Sequence, residues 1–248
     1  MTFCIFRIID GQRLGVEAGK MTAALAETED TEAKAGADVS LSVQAHQSLI
    51  GALREGQIRS GAFLSMPMLV DILGLPIAAV REAVKLAEAG GLVSVLPKRG
   101  VVVMDAGPEM TRECLELRAI LDSEGARRLI ETNAILPFAR LREDHERLRD
   151  AALTDVTPEV QRRAILTDLS LHDALAAGVG LKLAQRIYDD NRNRIAIIQN
   201  QRPFLADRIV SAMEEHLAII SALEERDVEA AVAAIRQHLA HTLRWWGV

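Results

Sequence analysis

From residue 40 onward, apolar positions recur at helical spacing between breaks of glycine and proline, whereas residues 1–39 show no sustained period. Leu49, Ile50 and Leu53 share a face and predict a helix over 42–55 that Gly56 ends. The chain then turns through Gly61, and Met66 to Leu73 predict a second, short helix closed near Gly74. Pro76 stands where a third helix begins, because a missing N–H costs nothing in a first turn. That helix runs from Ile77 to Ala89, with Val80, Val84 and Ala87 as its inner stripe and Gly90–Gly91 behind it. Two short β runs follow, Leu92–Leu96 and Val101–Met104, joined by Pro97, Lys98, Arg99 and Gly100. Three helices and a hairpin in 40–104 is the order of a winged helix-turn-helix, with the hairpin as its wing.

Ala106 to Pro108 reads as a hinge. Beyond it the pattern is helical throughout: Met110–Ala134, Pro137–Leu153, Pro158–Ala177, Gly180–Gln199, Arg202–Glu225 and Val228–Trp245, punctuated by Pro137, Pro158, Gly178, Gly180 and Pro203. Residues 105–248 therefore predict an antiparallel bundle of six helices. In the last pair, split at Asp227, Leu217, Ile220 and Leu223 share a face of one helix and Val232, Ile235 and Leu239 a face of the other. The fold class is mostly α, a winged helix followed by an all-helical bundle, with 1–39 as an N-terminal arm. Within that arm Phe3–Ile9 suggests a short strand, and the composition of Gly15–Asp38 a mobile segment.

The bundle carries one candidate site. Asp168 and His172 are four apart and lie one above the other on a helix face. His216 and His238 sit on the two last helices. Three imidazoles and a carboxylate converging from three helices suit a divalent metal: Zn, Ni, Co or Mn. His46, His145 and His241 read as surface or capped residues. Glu215 adjoins His216 but lies about 100° round the helix from it.

In the winged helix, Ile77–Ala89 would be the recognition helix. Arg81 is its best base or phosphate reader, since a guanidinium can fork onto guanine. Lys85 lies a turn further on, and Lys98 and Arg99 at the wing tip can reach phosphate or the minor groove, with Gly100 letting the wing turn tightly. Charge follows this division. Residues 40–104 hold six Lys and Arg against four Asp and Glu, inside a chain of net charge −6. Aromatic residues make up 3%, which fits Ala/Leu helices rather than a sandwich. There is no apolar run of membrane-spanning length. Two cysteines, Cys4 and Cys114, give no disulfide framework, so a reducing, cytoplasmic setting is expected. HExxH, GxSxG and a phosphate loop are all absent, which speaks against an enzyme.

The runs LREGQIRSGAFL and LGLPIAAVREAVKLAEAGGLVSVLPKRGVVV, with VREAV at 80–84, GGLV at 90–93 and PKRG at 97–100, resemble the DNA-binding domain of GntR family transcription regulators. LRAILDSEGARRL, DLSLHDAL and EEHLAIISALEERDVEAAVAAIRQHL resemble the helical FCD effector domain of the FadR-like branch, over 112–241. Where the family usually has Ser-Arg-Thr-Pro at the start of the recognition helix, this chain has Pro76, Ile77, Ala78 and Ala79. The Ser cap is lost, and Ile77 offers a thymine methyl an apolar contact in place of an arginine.

The resemblance implies a ligand-responsive regulator that binds a palindromic double-stranded operator as a homodimer. It implies that Asp168, His172, His216 and His238 are the metal ligands and that a small organic acid binds beside the metal against Arg118. Asn193 and Arg194 are further candidates for that cavity's wall. The plain alternative for Arg118 is an ion pair with Asp122, one turn away, where the family mostly has Glu. Two rival functions remain at this level: a metal-dependent enzyme, and a small-molecule sensor whose winged helix no longer reads DNA.

Overall fold

A computed structural model of the chain describes residues 41–134, 138–201 and 205–248. The expected strand at Phe3–Ile9 and the N-terminal arm fall outside these residues. Helix α1 covers 41–54 among them. It is followed by β1 (Phe63–Leu64), α2 (Met66–Leu73), α3 (Ile77–Ala89), β2 (Val93–Leu96) and β3 (Gly100–Val103). The three helices pack Leu49, Leu53, Leu69, Val80 and Val84 against Val101 and Val103 of the sheet. The sheet is antiparallel in the order β1-β3-β2, with Leu64 opposite Val101 and Leu96 opposite Gly100. The expected hairpin is therefore joined by a third strand. Two residues, Phe63 and Leu64, are too few to show a period. The wing turns through Lys98 at φ +62°, and a Cβ on Gly100 would lie 2.4 Å from the Leu64 carbonyl oxygen. Only glycine fits there.

Helix α2 begins as its sequence suggests, with the Ser65 hydroxyl accepting from the Met68 N–H and Pro67 in its first turn. Pro76 is the N-cap of α3 and supplies no side-chain cap.

Six helices complete the described chain: α4 (Pro108–Glu131), α5 (Phe138–Thr154), α6 (Pro158–Gly178), α7 (Lys182–Gln199), α8 (Ala206–Glu224) and α9 (Val228–Trp246). Their main core gathers Leu171, Leu175, Ile219, Ile220, Leu223 and Ile235. α4 and α6 cross closely, and a Cβ on Gly125 would fall 1.8 Å from the Leu175 carbonyl oxygen. One expected face is rotated. Val232 and Leu239 are half-buried, and α9 turns inward Ala231, Ile235, His238 and Thr242 instead. The expected hinge is tethered as well: Ser60 Oγ donates to the Met104 carbonyl at 2.7 Å and accepts from the Ala106 N–H at 2.9 Å. None of the described helices is long and apolar enough to cross a membrane.

Candidate metal centre

At one level of the bundle, the inward stripes change from apolar to polar. α4 turns Leu115, Arg118, Asp122 and Ala126 inward; α6 turns Ala164, Asp168, His172 and Leu175; α8 turns Met213, His216 and Ile220. Each series keeps the three- and four-residue spacing of a buried helix face. With His145 on α5, Gln199 on α7 and His238 on α9, the layer is buried and polar. Asp168, His172, His216 and His238 offer ligand atoms that all lie within 4.8 Å of one another. None is more than 4% exposed.

Hydrogen bonds fix which atom each ring presents. His172 donates from Nδ1 to Asp122 Oδ2 at 2.7 Å, and its Nε2, buried, has no hydrogen-bond partner among the described residues. His238 donates from Nδ1 to Glu215 Oε2 at 2.7 Å. Glu215 is held in turn by His241 Nδ1 at 3.0 Å and Arg208 Nη1 at 3.1 Å. His145 donates from Nδ1 to the Leu141 carbonyl at 2.6 Å. Burial holds its pKa below the ordinary value, so the ring is neutral and its Nε2 can only accept. That Nε2 lies 3.1 Å from His216 Nδ1, which must donate to it. His216 and His238 are thus left with an unprotonated Nε2, that of His238 also 3.4 Å from Arg118 Nη2. Those of His216 and His238 face each other at 3.3 Å, and Asp168 Oδ1 lies 3.6 Å from His216 Nε2.

Two facing lone pairs repel unless a cation lies between them. Nitrogens bound to one tetrahedral Zn²⁺ at about 2.05 Å are about 3.3 Å apart. The orphaned Nε2 of His172, the opposed lone pairs and the anchored Nδ1 atoms fit a metal of the Zn, Ni, Co or Mn type. Electrostatics agree. Burial depresses His216 well below its ordinary pKa, helped by repulsion from His238, His172 and His145. Burial likewise brings His238 down to about 4. Burial works to raise Asp168, but Arg118, His172, His238 and the Gln199 amide hold it below the usual value. His216 and His238 are ligand-ready as neutral imidazoles, and Asp168 as an ionised carboxylate.

Arg118 is buried beside these donors. Its Nη1 lies 3.5 Å from Asp168 Oδ2, its Nη2 lies 3.4 Å from His238 Nε2, and Nη1 has no hydrogen-bond partner among the described residues. Its ion pair is with Asp168, not with Asp122, which holds His172. Asn193 is half-buried on α7. Arg194 faces away from the centre and donates to the Gly90 carbonyl at the end of α3. Three residues of the layer escaped the sequence reading. His145 is buried rather than superficial, Glu215 serves the neighbouring helix rather than His216, and Gln199 donates to Asp168 Oδ2 at 3.0 Å. For His145 the signal was present in Leu141, His145, Leu148 and Ala152, a stripe hidden among charged neighbours.

On the winged helix, Arg81, Lys85, Lys98, Arg99 and Gly100 line one cleft between α3 and the wing, together with Met66 and Pro67. Ile77 is exposed at the start of α3. Lys85 is paired with Glu82 at 2.7 Å on the surface.

A family model described as the FCD domain matches residues 113–241. No curated protein matches the sequence. Among solved structures, E. coli McbR/YncC is 19% identical, with a TM-score of 0.65 over 82% of this chain and 95% of that one. A GntR transcriptional regulator from Rhodococcus sp. RHA1 is 21% identical, with a TM-score of 0.67 over 83% and 97%. Lar, which controls expression of the Listeria monocytogenes agr system, is 15% identical, with a TM-score of 0.54 over 82% and 94%. At these identities the likeness concerns the fold: a winged helix joined to a helical bundle.

Proposed function

The chain belongs to the FCD domain family, and from that membership and the winged helix ahead of the bundle we propose that it is a ligand-responsive transcription regulator. The observation that carries the reading is the enclosed centre, with three Nε2 atoms and a carboxylate converging and every imidazole Nδ1 held. Asp168, His172, His216 and His238 would hold a divalent ion. When bound, that ion would supply a Lewis-acidic seat for a carboxylate oxygen.

Charge supports one class for the rest of the ligand. There Asp168 is paired with Arg118 and Glu215 with Arg208, while Asp122 is bonded to His172, so three carboxylates meet two guanidinium groups. With a divalent ion held among them, the formal charge is one anion short of neutrality. Arg118 supplies a buried, incompletely bonded guanidinium, the group best shaped to take a carboxylate. The proposed effector is a small organic acid. Because the centre is enclosed, admitting the acid requires helices to part, and that movement is the means of response.

The carboxylates of the layer favour a binding protein over an enzyme. Asp122 is committed to His172, and Glu215 to His238, His241 and Arg208, which leaves neither as a free general base. The output would be an operator in double-stranded DNA, met by Arg81, Lys85, Lys98, Arg99 and Ile77. The chain would act as a homodimer, since two winged helices related by a two-fold axis suit a palindrome.

The test is calorimetric titration of a panel of organic acids into metal-loaded protein, metal-stripped protein and an Arg118→Ala variant. An acid should bind the metal-loaded wild type and lose at least about tenfold in affinity in each of the other two, since a buried charge left unpaired costs several kcal/mol. An acid that binds all three equally would place the effector site elsewhere.

A further inference from the structure

Helix α7 has two working faces. One carries the winged helix: Ile197 is part of its core and Arg194 holds the Gly90 carbonyl, and beyond the helix Gln201 donates to the Ser60 carbonyl at 3.3 Å. Just past the end of α7, Asn200 donates its side-chain amide to the carbonyls of Leu53 and Arg54 in the last turn of α1. The other face belongs to the bundle. Ile195 and Ile198 pack with Ala106 and Cys114, and Asn191 donates to the Cys114 carbonyl at 2.8 Å. Gln199, 3% exposed, reaches Asp168 from this face.

Adjacent residues therefore clasp the two halves of the molecule: Gln199 the carboxylate of the centre, Asn200 the end of α1. A carboxylate only accepts, so Gln199 must turn its NH₂ toward Asp168. Its own carbonyl oxygen is buried with no hydrogen-bond partner among the described residues, so among them Asp168 alone anchors its side chain by a hydrogen bond. The two oxygens of Asp168 are divided. Oδ1 faces His216, and Oδ2 faces Gln199 at 3.0 Å and Arg118 at 3.5 Å.

We propose that Gln199 and Asn200 are a positioning pair that transmits the state of the metal centre to the winged helix. The inference rests on the metal reading above. A carboxylate held through Oδ1 keeps Oδ2 in place for Gln199, and Gln199 keeps the last turn of α7 in register with Asn200. A carboxylate free to swing toward Arg118 leaves the Gln199 amide buried and unbonded, a state that is costly enough to move the turn. The covalent connection at 104–108 is strapped by Ser60, so α7 is the second mechanical link between the halves. Coupling of this kind needs an element that both sites bias, and α7 touches both.

The experiment is amide hydrogen exchange of the full chain with and without Zn²⁺, read at residues 53–61 and 88–93, in wild type, Gln199→Met and Asn200→Ala. Zinc affinity of each is measured separately by chelator competition. In the wild type, zinc should slow exchange in both segments by at least about fivefold, the local opening free energy rising with occupancy. Gln199→Met should lose no more than the roughly 10- to 100-fold in zinc affinity of a lost second-sphere contact, yet at saturating zinc transmit no slowing to either segment. Asn200→Ala should bind zinc like wild type and lose the slowing at 53–61. Equal slowing in all three proteins, or none in a wild type that binds zinc, would overturn the relay and leave the metal reading intact. A wild type that binds no zinc would overturn both.

Discussion

Each imidazole of the centre uses one nitrogen to fix its own orientation, and the identity of that partner sets what the other nitrogen can do. For His216 the partner is His145, itself locked by the Leu141 carbonyl. Replacing His145 with Leu removes the acceptor and frees the His216 ring to take the wrong tautomer. Zinc affinity should fall by about 10- to 100-fold while the helical signal is kept, as chelator competition and circular dichroism would register. Unchanged affinity would reduce His145 to packing. Protonation offers a second check on the same residues. In the metal-free chain His238 titrates at about 4, and His216 well below its ordinary 6.5, so the unfolded chain binds protons here that the folded chain refuses. Their contribution to stability is complete above pH 6.5 and is lost as pH falls toward 4, with a slope of up to about 1.4 kcal/mol per pH unit for each ring. Denaturant melts of stripped protein from pH 7.5 to 4.5 should follow this trend, and a flat profile would contradict a neutral, buried cluster. The convergence of Asp168, His172, His216 and His238 was legible from type and spacing. Their partners were not, because Glu215, Asp122 and His145 act across helices, and a sequence displays only neighbours along one.

The helices were legible where apolar stripes were long and ends were marked by glycine or proline, as in α3 and α6. The inward face of α9 was misjudged because Val232 and Leu239 sit at its edge, while Ala231, His238 and Thr242 join Ile235 in the interior. In α4 the inward stripe contains Arg118 and Asp122, which look like surface residues until a polar layer exists to receive them. β1 has two residues and no pattern of its own. α3 and the wing form one cationic cleft, and their roles should separate. Arg81→Ala should weaken a duplex chosen by selection from a random pool more than it weakens a scrambled one, by roughly 1–3 kcal/mol of discrimination. Lys98→Ala should weaken both alike and flatten the salt dependence by about one unit. Competition binding over a salt series distinguishes the two outcomes. Equal losses of discrimination in both variants would mean that α3, starting with Pro76 and Ile77, does not read bases.

The whole molecule joins a winged helix to a bundle through a strapped connection and through one helix that contacts both. The order of the parts was readable from the chain, but the seating of one on the other was not. It depends on single side chains, Arg194, Asn200 and Gln201, whose partners lie between about 100 and 150 residues away. In the proposed function the centre is the point on which both regulation and stability turn, since an ion bound only by the folded chain would stabilise it by mass action. The most direct measurement is elemental analysis of protein purified without chelator and dialysed, alongside the His216→Ala/His238→Ala double variant. The expected result is about one divalent ion per wild-type chain, lost in the double variant, with a lowered melting temperature when the wild type is stripped. Substoichiometric metal that is unchanged in the double variant would contradict the metal centre.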